Sequence, residues 1–183
     1  MIPQHGSIFP PRTSSFPEFV QDGVVTRLNN LMPANSAFEF MGTPTAINNA
    51  GQIIGTGRLF THPRSVFPGF VSDAYLFDFH RGTINDLGVL GIPADNDGGP
   101  PAIGFTTPLS INNLGQVVGS STTAHTDNAF IWKNGTMTDL GVGTAFAINN
   151  VGQVIGLFGP DFAHITLKLW KDGIAADLLA RLA

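Results

Sequence analysis

The chain has 183 residues, 43% of them hydrophobic and only 12% charged, which excludes a disordered polymer and suits one domain or a stretch of a longer array. Net charge is −4, which gives no reason to expect nucleic acid, whose binding needs a basic surface. There is no cysteine, which rules out a disulfide framework and a thiolate metal site.

Residues 1–16 contain Pro, Ser and Gly and no continuous apolar run. They read as an irregular segment without the pattern of a signal peptide. No stretch of the sequence is long and apolar enough to span a bilayer as a helix.

From residue 17 onward the sequence reads as a single repeat domain, 17–183, built from two alternating phrases. The first phrase is Ala46-Ile47-Asn48-Asn49-Ala50-Gly51-Gln52-Ile53-Ile54-Gly55. It returns as Ser110 to Gly119 and again as Ala147 to Gly156. In each copy an apolar segment meets an Asn-Asn-x-Gly turn, where Asn bonds its own backbone and Gly supplies positive φ, and a β-branched strand follows. The second phrase is clearest at Asn128 to Gly141, with other versions at 74–88, 169–178 and 19–28. In all four, Asn-Gly, Asp-Gly or a longer Gly turn separates two apolar runs, the strongest short-range signal of a hairpin.

In chain order the phrases give a partial unit at 17–30, a turn-rich connector, and full units at 44–88, 104–141 and 145–178. Each full unit is two hairpins, hence four antiparallel strands a, b, c and d. Strands are predicted near 17–21, 24–28, 44–48, 52–56, 74–79, 83–87, 108–112, 116–120, 128–132, 136–140, 145–149, 153–157, 166–170 and 174–178, with helix nearly absent. The predicted fold is all-β: a β-propeller-like array of four-stranded antiparallel blades, three full units plus a partial N-terminal unit. A β-sandwich of the same strands is the alternative. The partial unit lacks strands a and b, so its open edge predicts self-association or closure by neighbouring sequence.

The phrases Ile-Asn-Asn-x-Gly-Gln-Val-Val-Gly, Ala-Phe-x-Trp and Gly-x-Met-x-Asp-Leu-Gly resemble the HAF family, a bacterial extracellular repeat. The resemblance covers most of 17–179 and implies a propeller-type repeat at the cell surface or outside the cell, with no activity attached. The chain departs from it at Asp73 and Asn128, where the family name implies His, and at Leu167-Lys168-Leu169-Trp170.

A catalytic residue is needed once; a structural residue is needed in every unit. Asn48, Asn112 and Asn149 recur together, as do Gln52, Gln116 and Gln153, and Asp86, Asp139 and Asp177. The Asp set has the composition of a calcium or acid/base ring, yet turn chemistry already accounts for all three sets. Phe77, Phe130, Trp132 and Trp170 fall on equivalent strands and read as inter-unit core rather than ligand-stacking aromatics. Asp95-Asn96-Asp97-Gly98-Gly99 lacks the later carboxylate of a calcium loop. The five histidines show no metal-ligand spacing, and no nucleophile elbow, phosphate loop or dinucleotide fingerprint is present. No cofactor or metal is expected.

Turns a–b and c–d are short and uniform, whereas the b–c connection from Gly55 to Tyr75 is long and carries Phe60, His62, Arg64, Phe67 and Phe70. Variable loops on one face of a rigid scaffold are where function concentrates. These five residues are the candidate binding residues of an extracellular or surface module that contacts protein or glycan. A polysaccharide hydrolase or lyase with its site on the same face is the alternative, and a cluster of His62, Arg64 and a carboxylate such as Asp73 would distinguish it. A third reading makes the three Phe side chains a small core that holds the loop to the strands.

Overall fold

A computed structural model describes residues 17–59, 72–91, 104–160 and 164–178. All regular structure there is β apart from short 3-10 turns, one of them at Leu28–Leu31. The thirteen strands are β1 Glu18–Gln21, β2 Val24–Arg27, β3 Phe38–Ile47, β4 Gln52–Leu59, β5 Ser72–Asp78, β6 Thr83–Asp86, β7 Thr106–Ile111, β8 Val117–Thr122, β9 Asp127–Lys133, β10 Thr136–Ile148, β11 Val154–Phe158, β12 Thr166–Lys171 and β13 Ile174–Asp177. The predicted irregular segment 1–16 lies outside the described residues.

All pairings among the described residues are between strands next to each other in sequence, and antiparallel, as in hairpins. The c–d turns show why. Asp22, Asn134 and Asp172 have φ near 50°, and each is followed by a Gly with positive φ, the two-residue turn whose twist matches that of the flanking strands.

The strands form sheets of two, four and seven: β1-β2, β3-β4-β5-β6, and β7 through β13. The four-stranded sheet is the predicted first full unit. The second and third units correct the expectation of separate blades. The predicted strands 136–140 and 145–149 are one strand, β10, which pairs with β9 through residues 136–142 and with β11 through residues 143–148. No helix former or Pro interrupts Gly141-Val142-Gly143-Thr144, so the backbone stays extended. Gly141 at φ 99° and Gly143 at φ 140° carry the change of direction. Strand β3 also begins at Phe38, six residues before the predicted start. Its register is irregular at three places, two of them flanking Pro44, which has no N–H to give to the ladder.

The sheets stack face to face, because successive side chains point to opposite faces. Phe19 and Leu28 pack on Ile53, Tyr75 and Phe77, joining the N-terminal hairpin to the first unit. The other face of that unit, Ile54, Ala74 and Leu76, meets Ile111, Val117, Phe130 and Trp132 of the second. The second unit's far face, Val118, Ala129 and Ile131, meets Ala145, Ile148, Val154 and Phe158 of the third. Each fully buried side chain of this size contributes roughly 1.5–3 kcal/mol, so the interfaces between sheets are the main source of stability. Phe77, Phe130 and Trp132 are buried in these layers and Trp170 packs at their margin. Among the described residues the stack does not close into a ring. No helix there is long and apolar enough to cross a membrane.

Candidate functional site

The recurring Asn-Asn-x-Gly-Gln turns lie at one end of the stack, and they interlock. Within the first turn, Asn48 Oδ1 accepts the backbone N–H groups of Ala50 at 3.0 Å and Gln52 at 2.9 Å, and Asn48 Nδ2 donates to Gln52 Oε1 at 2.8 Å. The second hydrogen of the same amide crosses to the next unit, donating to the Asn112 carbonyl at 2.8 Å. Asn112 repeats the pattern: it accepts from Leu114 and Gln116, donates to Gln116 Oε1 at 2.7 Å, and crosses to the Asn149 carbonyl at 2.9 Å. A second rail runs beside the first. Asn49 N–H donates to Asn113 Oδ1 at 3.0 Å, and Asn113 N–H donates to Asn150 Oδ1 at 2.9 Å. Asn149 keeps its local bonds, with no crossing partner among the described residues.

The doubled asparagine thus forms a ladder across the three units. The first Asn folds the turn and reaches forward through its amide. The second Asn offers its side-chain oxygen to the unit before it. Gly51, Gly115 and Gly152 each have positive φ, 71°, 73° and 76°, as the turn requires. The Gln side chains fill the space beside the following turn: a Cβ on Gly115 would lie 3.1 Å from Gln52 Oε1.

The recurring aspartates are also structural where their bonds are seen. Asp86 Oδ1 accepts Gly88 N–H at 2.9 Å, and Asp139 Oδ1 accepts Gly141 N–H at 2.7 Å, each closing a turn. Asp139 additionally receives Asn128 Nδ2 at 3.0 and 2.8 Å on its two oxygens. At the equivalent place in the first unit, Asp73 replaces Asn128. Asp73 is buried, and its carboxyl is pushed up to about 6 by burial and by the Asp86 carboxylate, against the lowering effect of the Ala74 N–H. Tyr75, two residues on, is fully buried with no hydrogen-bond partner for its hydroxyl among the described residues, and burial raises it above the usual phenol range.

The candidate binding residues Phe60, His62, Arg64, Phe67 and Phe70 all lie outside the described residues, as does Asp95-Asn96-Asp97-Gly98-Gly99. The structure places Asp73 at the start of β5, the strand that follows the long connection. Of the remaining histidines, His80 sits against Gly51, while His125 and His164 are exposed. Among the described residues no group of three His, Asp or Glu could hold a metal ion.

Two features escaped the sequence reading. A cleft of about 390 Å³ opens at the short-turn end between the second and third units, lined in part by Gln116, Lys133, Asn150, Trp170 and Asp172. No motif marks it, because its walls come from separate turns and from strands β9, β10 and β12. The second is the last glycine of the first phrase. A Cβ on Gly55, Gly119 or Gly156 would lie 2.4, 2.0 or 2.3 Å from the carbonyl oxygen of Thr43, Thr107 or Thr144. These glycines admit the bulged neighbouring strand at close approach, and their recurrence was the available signal. No protein-family model matches the chain, and no curated protein matches it.

Proposed function

We propose that this chain is a non-catalytic β-repeat module that acts outside the cell or at its surface by binding protein or glycan through its long-connection face. The observation that carries the proposal is the use made of the recurring polar side chains. Asn48, Asn112, Gln52 and Gln116 are engaged in building turns or joining units, which leaves no recurrent polar set over for chemistry. The extracellular assignment rests on the resemblance to HAF repeats.

A polysaccharide hydrolase or lyase remains the second reading, because Asp73 is a buried carboxylate held to about 6 with Asp86 beside it. One experiment separates the two. The full chain is tested on a glycan array and, with the same polysaccharides, for release of reducing or unsaturated ends. Binding without product release, weakened by Phe67→Ala with Phe70→Ala, supports the module. Turnover abolished by Asp73→Asn supports the enzyme. Neither binding nor turnover on any glycan or surface protein overturns both.

A further inference from the structure

Among the described residues, the two outer faces of the stack are the unmatched halves of its internal interface. Between the second and third units, Val118, Ala129 and Ile131 are buried at 0%, 0% and 8% exposure. Their equivalents in the third unit are Ile155, Leu167 and Leu169. Ile155 and Leu167 are exposed at 41% and 37%, and Leu169 is half-buried. Register makes them one patch: Ile155 lies opposite Leu169 and Leu157 opposite Leu167, with Ala176 opposite Leu169 on the far side.

The N-terminal hairpin ends the stack in the opposite sense. Trp132 and Met137, a cross-strand pair, pack on the unit before them. Their equivalents in the partial unit are the cross-strand pair Val20 and Val25, exposed at 63% and 58%. Each end therefore carries the side chains that, in the interior, meet the type of face found at the other end.

We infer that a second copy of this chain docks head to tail, its Val20–Val25 face covering the Ile155, Leu157, Leu167 and Leu169 face of the first. The contact repeats the interior one in kind, sheet on sheet with apolar strips between. It joins two different patches, so it propagates from copy to copy unless rotation closes a ring. The partial unit brings only two strands and no Asn turn, so it covers β12 with the adjoining parts of β11 and β13 and leaves the spare Asn149 amide hydrogen to solvent. An interface of that extent is smaller than a permanent one, and the association is concentration-dependent.

Sedimentation of the full chain across a dilution series tests this, with Leu167→Glu on one face and Val25→Glu on the other. The wild type grows beyond a dimer as concentration rises. Each variant alone is monomeric, because each still needs the face it lacks. Mixed in equal amounts, they form a one-to-one dimer that grows no further, since each supplies the intact half of a single contact. Circular dichroism confirms that both are folded, and Leu157→Gln with Val20→Thr replace any variant that is not. A wild type that stays monomeric at every concentration overturns the inference. So does a Val25→Glu chain that still dimerises, which would mean the C-terminal face pairs with itself, or a Leu167→Glu chain that still associates.

Discussion

Asn112, like Asn48, holds two backbone groups on its oxygen and two acceptors on its amide. A net contribution of about 0.5–1.5 kcal/mol per bond predicts that Asn112→Ala destabilises by about 3 kcal/mol. Asn149 has the same chemistry, is exposed and lacks the crossing bond, so Asn149→Ala should cost about 1 kcal/mol. Equal losses in urea titrations of the two variants would mean that the ladder between turns carries no energy. Asp73 supplies a pH-dependent counterpart. Its carboxyl titrates near 6 in the folded chain and near 3.8 when unfolded. As pH rises from the ordinary carboxylate range, the unfolded chain releases the proton first, so stability falls until the folded group has also ionised. Asp73→Asn restores the amide that Asn128 offers Asp139. The variant should melt higher than the parent near neutral pH, and the difference should shrink as pH falls below the ordinary carboxylate range. A difference that is the same at all pH values would show that the Asp73 charge is not its source.

At the scale of elements, the hairpins were legible because their turns carry their own chemistry. Asn134-Gly135 could only be a tight turn, and Asn112-Asn113-Leu114-Gly115 bonds itself. What could not be read was where strands end. The start of β3 at Phe38 was hidden by Gly42 and Pro44, residues that ordinarily stop a strand and here sit within an irregular register. The Gly141-x-Gly143 step read as a break and is a bend inside one strand. The two kinds of recurring glycine should also separate by experiment. A methyl at Gly119 meets the Thr107 carbonyl, so Gly119→Ala should cost roughly 2–4 kcal/mol. At Gly135 nothing lies within 4 Å of the added carbon and only φ is unfavourable, so Gly135→Ala should cost about 1 kcal/mol. Thermal melts that rank the two the other way would refute the close-approach assignment.

At the scale of the whole molecule, burial is greatest at the centre of the stack and least at its ends. Ile54, Val117 and Val118 are fully buried, while β1, β2 and β13 are largely exposed. Amide hydrogen exchange should be slowest in β4, β8 and β9 and fastest in the N-terminal hairpin and β13. Uniform protection along the chain would mean that the stack opens only as one body. The order of the hairpins was legible from the phrases, whereas the joining of β7 through β13 into one sheet was not. Their packing followed from alternation along each strand: Val117 and Val118 are adjacent in sequence and belong to different layers. The candidate binding residues, which lie outside the described residues, stand on a contrast in loop length alone, because aromatic residues in a long connection carry no periodicity that fixes where they point.

Strand β10 makes the joint between the second and third units different from the one before it. The step from β6 to β7 runs from residue 87 to 105, whereas β10 passes from one half of the seven-stranded sheet into the other with no residue outside a ladder except where its register shifts. The stretch that recurs in the sequence is therefore not the piece that folds: the seam between the second and third copies falls inside a hydrogen-bonded strand. A gene that inserts one more copy at this seam needs no newly shaped connector, since the paired glycines already supply the bend. Lengthening the array there is a matter of copying, and the inserted copy arrives rigidly attached on both sides.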